Sequence, residues 1–393
     1  MLADRRTLIA LAAGHACADF CQGAVPALVP FLVHRRGLSF SDTGLLLLVM
    51  SFTSSLLQPA IGAWADRREA NWMIPAGVAI GGAGIASVGF LHTLPPMLAA
   101  VAVAGLGIAL FHPAGARRAT QAAGDRPGSG LGIFAMVGSA GFTLAPALLT
   151  PSILLFGLRG TLIALPPTLV VATLLQKGGG PGPHPSSPLG GRARPSAVSL
   201  GSDRPRAFAL LATVASLRAG TYFGLQGFLA AMLIDRLGVS TGTGNAALTV
   251  MLAAGAVGTL IGGRLADRYG NRFVLTGALA ATPATIVLLQ LAPSPAAAIP
   301  AAALCGLTVV GGYTSTVVLG QRLLPHHQTL AAGMTLGFAM GAGGITVAAL
   351  GPLADGAGPA AALWVCAGLA AGGALLAHLL DAPERVASKL SFT

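Results

Sequence analysis

An acidic residue, Asp19, lies in the middle of a long apolar run near the start of the chain. The run covers residues 7 to 33, long enough to cross a bilayer as a helix, and an ionised carboxylate at mid-depth costs about 2.5–3.5 kcal/mol on insertion scales. His15, Asp19 and Gln22 are spaced i, i+4 and i+7, so they share one helical face. A desolvated carboxyl group can hold a proton and an imidazole can relay one near neutral pH. We therefore predict that Asp19 and His15 form a proton-coupling site facing a water-filled path.

Two simpler interpretations remain open at this point. Asp19 can be a static residue that hydrogen-bonds neighbouring helices, and His15 can be a polar residue whose bonds are satisfied within the protein. Both interpretations place the same face of the helix toward protein and away from lipid.

The composition is that of a polytopic membrane protein. The chain has 393 residues, of which 54% are hydrophobic and only 9% are charged, against roughly 25% charged residues in a typical soluble domain. A net charge of +11 would suggest nucleic acid in a soluble protein, but here the cations lie at the ends of apolar runs. We therefore expect a lipid bilayer as the surroundings and no nucleic-acid partner.

About 20 apolar residues per helix give twelve predicted spans. They are residues 7–33, 43–64, 73–92, 96–118, 129–150, 157–175, 207–234, 244–264, 273–292, 296–320, 328–351 and 358–380. Placing both termini in the cytoplasm puts 18 Lys and Arg residues inside and 4 outside, which fixes the orientation by the positive-inside rule. Residues 176–206, rich in Gly, Pro and Ser, form a predicted cytoplasmic linker between a six-helix half at 1–175 and another at 207–393.

A short motif recurs at the end of the second helix of each half. Gly62, Asp66 and Arg67 in the first copy are matched by Gly263, Asp267 and Arg268 in the second, 201 residues later. In the predicted latch the Gly permits close approach of a neighbouring helix, the Asp caps a helix or pairs with Arg, and the Arg contacts backbone carbonyls. A Gly-x-x-x-Asp-Arg loop at these two places resembles the major facilitator superfamily. The resemblance implies two pseudo-symmetric six-helix halves that work by alternating access.

The first half also carries a closer resemblance. The segments His15–Asp19, Ser54–Pro59 and Phe111–Pro113 are similar to those of the fosmidomycin resistance family. That resemblance implies proton-coupled export of a small drug or metabolite, with anions among the candidates. Small residues in span five, which resemble the antiporter motif of the superfamily, favour export over import.

The second half offers a matching polar stripe. Arg218 is the one cation deep within a predicted span, away from its ends, and Tyr222 and Gln226 follow on the same helical face. The 201-residue offset places Arg218 opposite the helix of Asp19, so we predict that both face one central cavity. Either the two charges pair, or Arg218 binds an anionic substrate that is released when Asp19 is protonated. A structural arginine bonded to backbone carbonyls is the alternative.

Four further residues are predicted substrate contacts. Gln22 extends the face of Asp19, and His112 precedes a helix-kinking proline and is matched by Tyr313 through the offset. Gln58, which also precedes a proline, is the fourth candidate. His112 can equally satisfy the carbonyl that Pro113 leaves free.

Glycines in two spans predict close helix packing. Gly138 and Gly141 in span five are matched by several glycines of span eleven, including Gly337, Gly341 and Gly343. Because small residues let helices approach closely, we expect spans five and eleven to meet across the two halves.

The sequence lacks nucleotide loops, zinc spacings and nucleophile triads, so we predict neither an enzyme nor a cofactor or resident metal. The expected protein is a monomeric, multi-pass transporter of the bacterial inner membrane whose partners are protons and a small substrate. Two other functions stay open: a proton-coupled importer or uniporter of a small metabolite or soft metal, and a non-transporting assembly factor on the same fold.

Overall fold

A computed structural model describes residues 4–65, 71–124, 127–177 and 202–380. These residues are almost entirely helical, and no strand occurs among them. Nine stretches in this part are long and apolar enough to cross a membrane. One of them, Gly130–Lys177, has 48 residues and holds two spans, and the shorter helix Met73–Val88 and the broken helix over 328–357 complete twelve. The predicted all-helical membrane architecture is confirmed.

The described residues of the first half form seven helices. They are α1 Arg5–Arg36, α2 Phe40–Ser51, α3 Gln58–Ala65, α4 Met73–Val88, α5 Leu94–Ala122, α6 Pro127–Phe156 and α7 Leu165–Lys177. A π-helical turn, Phe52–Leu56, joins α2 to α3 within the second span. The sixth span was predicted to be a helix from residue 157, but it begins with 3₁₀ turns over Gly157–Ala164.

Residues 202–380, which the structure describes for the second half, form eight helices. They are α8 Pro205–Leu237, α9 Thr241–Tyr269, α10 Asn271–Leu291, α11 Pro295–Gly311, α12 Tyr313–Leu323, α13 Gln328–Gly333, α14 Ala339–Ala357 and α15 Pro359–His378. Another π-helical turn, Met334–Phe338, interrupts the eleventh span. The predicted linker over 176–206 lies largely outside the described residues, but its two ends belong to helices α7 and α8.

The turn after the first helix of each half has the same chemistry. Gly37 and Gly238 end α1 and α8 in the left-handed conformation, where glycine has no Cβ penalty. Ser39 and Ser240 then cap α2 and α9 through their side-chain oxygens. Each pair is 201 residues apart in the sequence. The repeat seen in the loop motif therefore extends to the helix boundaries.

Span five does not meet span eleven, contrary to the expectation from their glycines. Helix α6 packs against α1 of its own half and α9 of the other, whereas α14 packs against α8 and α2. Gly141 is needed against the backbone of Ala16 in α1, and Gly343 against Phe223 in α8. Gly344 of α14 packs instead against Ser51 of α2 in the other half. Span eleven therefore meets the first half through α2 and not through α6, which glycine content alone did not distinguish.

The halves are joined at the end of the bundle away from the described termini, here called the distal end. The Asp355 carboxylate at the end of α14 accepts hydrogen bonds from the amides of Phe40 and Ser41, at 2.6 and 3.0 Å, and from the Ser41 hydroxyl at 2.5 Å. Nearby, the Asn245 amide of α9 donates to the Ala27 carbonyl and the Thr150 hydroxyl, both at 2.9 Å. This end of the bundle is closed between the two halves.

Candidate functional site

Two helices of the first half bring two imidazoles to one carboxylate, and a third helix adds a glutamine. Asp19 of α1 lies 3.3 Å from His15 through Oδ2 and Nε2, and 3.0 Å from His112 of α5 through Oδ1 and Nε2. Gln58, the first residue of α3, places its amide nitrogen 3.2 Å from Nδ1 of His112. We call His15, Asp19 and His112 the histidine–aspartate cluster. The Asp19 side chain is 16% exposed, so the cluster is mostly buried but still reachable by solvent.

Close backbone packing holds the His15 ring in place. The ring stacks on Phe134 of α6 with 4.0 Å between centroids, and its Nδ1 lies 2.8 Å from the Phe134 carbonyl oxygen. On the same helix, a Cβ at Gly138 would lie 2.5 Å from two atoms of the His15 ring. Only glycine at 138 therefore leaves the ring where it contacts both Asp19 and Phe134.

The hydrogen bonds of Gln58 determine which nitrogen of His112 carries the proton. The Gln58 amide nitrogen donates to the Ser54 carbonyl at 2.5 Å, which fixes the orientation of the amide, and it also faces His112 Nδ1. Nδ1 must then accept, so the proton of a neutral His112 is on Nε2, where it is donated to Asp19. His112 therefore needs no additional proton to make these contacts.

The contacts of His15 have the opposite consequence. A carbonyl oxygen only accepts, so Nδ1 of His15 must carry the proton that it donates to Phe134. A neutral His15 in this form turns the lone pair of Nε2 toward Asp19 Oδ2, and an ionised carboxylate has only lone pairs to offer. These two atoms lie 3.3 Å apart without forming a hydrogen bond, so the contact between them is electrostatic. Its strength depends on whether His15 or Asp19 carries a further proton.

The same three residues have donor atoms within 4.8 Å of one another, a spacing that a metal ion could use. A metal-bound imidazole presents a lone pair to the ion and a ring N–H to its second shell. His15 meets this requirement through Phe134, but His112 does not, because the Gln58 amide nitrogen faces its Nδ1. The arrangement fits a proton better than a metal.

Arg218 of α8 is buried without an acidic partner among the described residues. Only 4% of the residue is exposed, its guanidinium lies over the Tyr313 ring at 5.0 Å from the centroid, and its Nε has no hydrogen-bond partner. Asp19 and Arg218 each interact electrostatically with Tyr222 and Tyr313, and no ion pair joins the two charges directly. The two tyrosines therefore connect the charged groups of the two halves.

The other predicted contact residues lie close to these groups. Gln226 is buried, interacts with the Tyr222 hydroxyl and has an unpartnered amide nitrogen. Gln22 is partly exposed on α1 and makes no hydrogen bond to the described residues. The structure gives no hydrogen bond or ring contact between His112 and Tyr313, the pair suggested by the offset; His112 contacts Asp19 and Gln58 instead.

The predicted latch is described only in part. Asp66 and Arg67 lie outside the described residues, and Asp267 and Arg268 are exposed, with the Arg268 guanidinium 5.2 Å from the Tyr269 ring centroid.

The close-approach role predicted for Gly263 is wrong, because a Cβ there would meet no atom within 4 Å. The preceding residue, Gly262, is the one that touches the Gly311 backbone. At the first copy, Gly62 has only an ordinary contact, 3.5 Å from a built Cβ to Pro113.

Sequence reasoning missed three participants in the site. The carbonyls of Phe134 and Ser54 are backbone groups, which carry no signature in the sequence. Gly138 was noticed for helix packing, but its role beside the His15 ring follows only from the structure. The position of Gln58 before Pro59 was the available signal for the contact with His112.

A two-half bundle of membrane helices, closed at one end and enclosing charged groups from both halves, defines a secondary transporter. The family comparison agrees: a Major Facilitator Superfamily model matches residues 11–347, with a further match over 211–392. The chain belongs to the Major Facilitator Superfamily. Its members carry solutes across membranes and are not enzymes.

Two relatives cover nearly the whole chain. An uncharacterized MFS-type transporter, YfnC of Bacillus subtilis strain 168, is 30% identical over 96% of this chain and 93% of its own length. The fosmidomycin resistance protein of Escherichia coli K12 is 28% identical over 95% of this chain and 92% of its own. The resemblance to the fosmidomycin resistance family is thereby confirmed at the level of sequence similarity.

Solved structures support the same fold. A bacterial homologue of the human lysosomal transporter Spinster, in an inward-facing and occupied conformation, superposes with a TM-score of 0.74 at 18% identity, covering 95% of this chain and 96% of that one. The nucleoside transporter NupG gives a TM-score of 0.72 at 14% identity, covering 95% of this chain and all of that one. At such low identity the likeness concerns the fold alone.

Proposed function

We propose that the protein is a proton-coupled exporter of a small anionic solute, with the histidine–aspartate cluster as its proton site. The observation that carries the proposal is the contact of one carboxylate, Asp19, with two imidazoles, those of His15 at 3.3 Å and His112 at 3.0 Å. A proton gained or lost by His15 or Asp19 changes the charge of this contact and therefore its strength. Because His15 also bonds the Phe134 carbonyl, such a change would act at the contact of α1 with α6.

The second half supplies the solute site in this proposal. Arg218 is buried, is unpaired with any described acid and has an unpartnered Nε, which suits an anionic group with two oxygens to accept hydrogen bonds, such as a carboxylate or phosphonate. The unpartnered Gln226 amide nitrogen adds a donor nearby. A bound anion would neutralise a cation that is otherwise costly in this position.

Alternating access would couple the two sites. With the distal end closed, the solute would enter from the cytoplasm, and after the halves rock, a proton entering from outside would occupy the His15–Asp19 pair as the solute leaves. Return of the proton to the cytoplasm would reset the carrier. The similarity to a fosmidomycin resistance protein supports export of an anionic compound, and fosmidomycin is the first solute to test.

Transport into inverted membrane vesicles with an imposed pH gradient tests the proposal directly. We expect accumulation of fosmidomycin, or of another anion identified by a growth screen against antibiotics and phosphonates, only when the vesicle interior is acidic. Accumulation of the solute with the opposite gradient would indicate an importer. Insensitivity to every pH gradient would contradict proton coupling.

A further inference from the structure

An arginine-lined cavity lies at the distal end, far from the histidine–aspartate cluster. It has a volume of about 500 Å³ and is lined by Arg35, Arg36, Arg159 and His92, together with the aromatic residues Phe90 and Phe156. None of its lining residues is acidic. We call the cavity formed by these four basic residues the arginine pocket.

The charge distribution makes this pocket unusual. Among the described residues, only four Lys or Arg residues lie at this end of the protein, and three of them line one cavity. Converging cations repel one another, and topology selects against them on the outer side of a membrane. Arg35 and Arg36 are neighbours in the sequence, but the fold brings Arg159 to the same cavity from the 3₁₀ turns after α6. A bound anion would offset the repulsion among the three charges.

Hydrogen bonds to backbone carbonyls use only some of the donor groups of the pocket arginines. The remaining distal arginine, Arg236 in the second half, donates to two carbonyls, those of Leu289 and Ala292, at 3.5 and 2.6 Å. In the pocket, Arg36 makes one long bond to the Gly89 carbonyl at 3.4 Å and leaves its buried Nε without a partner. Arg35 makes one bond to the Ile153 carbonyl at 3.3 Å.

Arg159 is the most available of the three. It is exposed and makes no hydrogen bond or ion pair to the described residues. A guanidinium with free N–H groups, beside two others that keep unused donors, matches the oxygens of a phosphate group. The chemistry of the pocket is therefore that of a phosphate receptor.

The rim of the pocket favours a phosphate that belongs to a lipid. Phe90 is 44% exposed and Phe156 is 69% exposed, and Leu155 beside it is 76% exposed. Leu155 and Phe156 end α6, and Phe90 follows the end of α4, so we place these side chains at the boundary between acyl chains and headgroup phosphates. From the geometry of this site, we infer that the arginine pocket binds the headgroup phosphate of an anionic phospholipid.

The test uses the purified full-length protein after delipidation. Phosphatidylglycerol, phosphatidylcholine or inorganic phosphate is added, and bound lipid is counted by native mass spectrometry while the thermal midpoint is recorded. We expect wild type to retain phosphatidylglycerol in preference to phosphatidylcholine and to gain thermal stability from it. The Arg159→Gln variant should retain phosphatidylglycerol about tenfold more weakly, since one charge-assisted contact is lost.

Arg236→Gln is the matched control, because it removes one arginine from the same end but not from the pocket. It should retain phosphatidylglycerol as wild type does. Equal retention by Arg159→Gln and wild type, or an equal loss in Arg236→Gln, would overturn the assignment. Protection by inorganic phosphate equal to that by phosphatidylglycerol would overturn the lipid as the source of the phosphate.

Discussion

His15 and Phe134 are joined twice: their rings stack at 4.0 Å, and His15 Nδ1 donates to the Phe134 carbonyl at 2.8 Å. Because the second contact fixes the proton on Nδ1, it determines what the opposite nitrogen can do. A further proton on Nε2 makes His15 an imidazolium, which attracts the Asp19 carboxylate 3.3 Å away. The Phe134 carbonyl of α6 therefore leaves Nε2 as the His15 atom that can gain or lose a proton beside Asp19.

Replacement of Asp19 by Asn should abolish proton coupling. The amide has similar size and can still accept from His112, but it cannot exchange a proton with His15. We expect gradient-driven transport in proteoliposomes to fall by about two orders of magnitude, while solute exchange without a gradient continues. Asp235→Asn, an exposed acid at the distal end, is the control and should transport as wild type does. Full gradient-driven accumulation by Asp19→Asn would refute the proton role.

The Gly138→Ala variant tests the position of the His15 ring without changing an ionisable group. The added methyl would overlap the ring, and relieving such overpacking costs about 1–3 kcal/mol. We expect weaker gradient-driven transport and a shifted pH profile, measured beside Gly132→Ala. Gly132 is on the same helix with no atom near its built Cβ, so its variant should behave as wild type. Identical behaviour of the two variants would argue against a required ring position.

Arg218→Lys should separate charge from geometry in the second half. Lysine keeps the positive charge but lacks the planar fork and cannot stack in the same way on Tyr313. We expect affinity for the transported anion to fall about tenfold in a direct binding assay, with the folded protein recovered in normal yield. Arg236→Lys, whose arginine bonds only backbone carbonyls, should bind the anion normally. Unchanged affinity in Arg218→Lys would exclude it from the solute site.

The Asp355→Asn variant should loosen the closed distal end. Asp355 accepts three hydrogen bonds from the start of α2, and replacing a charged acceptor with a neutral one weakens them. Since the site is exposed, we expect only about a threefold to tenfold shift toward distal opening. Distances between spin labels at positions 34 and 356 would measure the shift, with Asp235→Asn as control. An unchanged distance distribution would mean that the contact does not hold this end closed.

The same contact should respond to acid. Burial raises the pKa of Asp355, but hydrogen bonds from the Ser41 hydroxyl and the amides of Phe40 and Ser41 outweigh burial and lower it below the ordinary carboxyl value. A lowered pKa means that the contact is fully present above the ordinary value and is lost as the pH falls through the lowered one. The labelled wild type should open distally only on strong acidification, and Asp355→Asn should show no such step. Opening of both proteins at the same pH would assign the transition to another group.

The sequence predicted the helical architecture better than the contacts within it. Hydropathy placed twelve spans, and the i, i+4 spacing of His15 and Asp19 anticipated a contact that lies within one helix. His112 is 93 residues from Asp19, and the internal offset directed attention to Tyr313 instead. The choice between Gly262 and Gly263 depended on helical phase, which a one-residue error reverses. Such relationships arise from packing between helices, which hydropathy and spacing do not encode.

At the distal end, α2 of the first half and α14 of the second half pack with their backbones in direct contact at two glycines. A Cβ at Gly44 would come within 3.0 Å of the Ala348 and Val347 backbone, and one at Gly351 within 2.5 Å of Ser41. Because glycine has no side chain, these two contacts can separate without any change of side-chain rotamer at Gly44 or Gly351. The two halves can therefore separate at this junction and return to it with little steric resistance, whereas a methyl group added at either glycine would hold the two backbones apart.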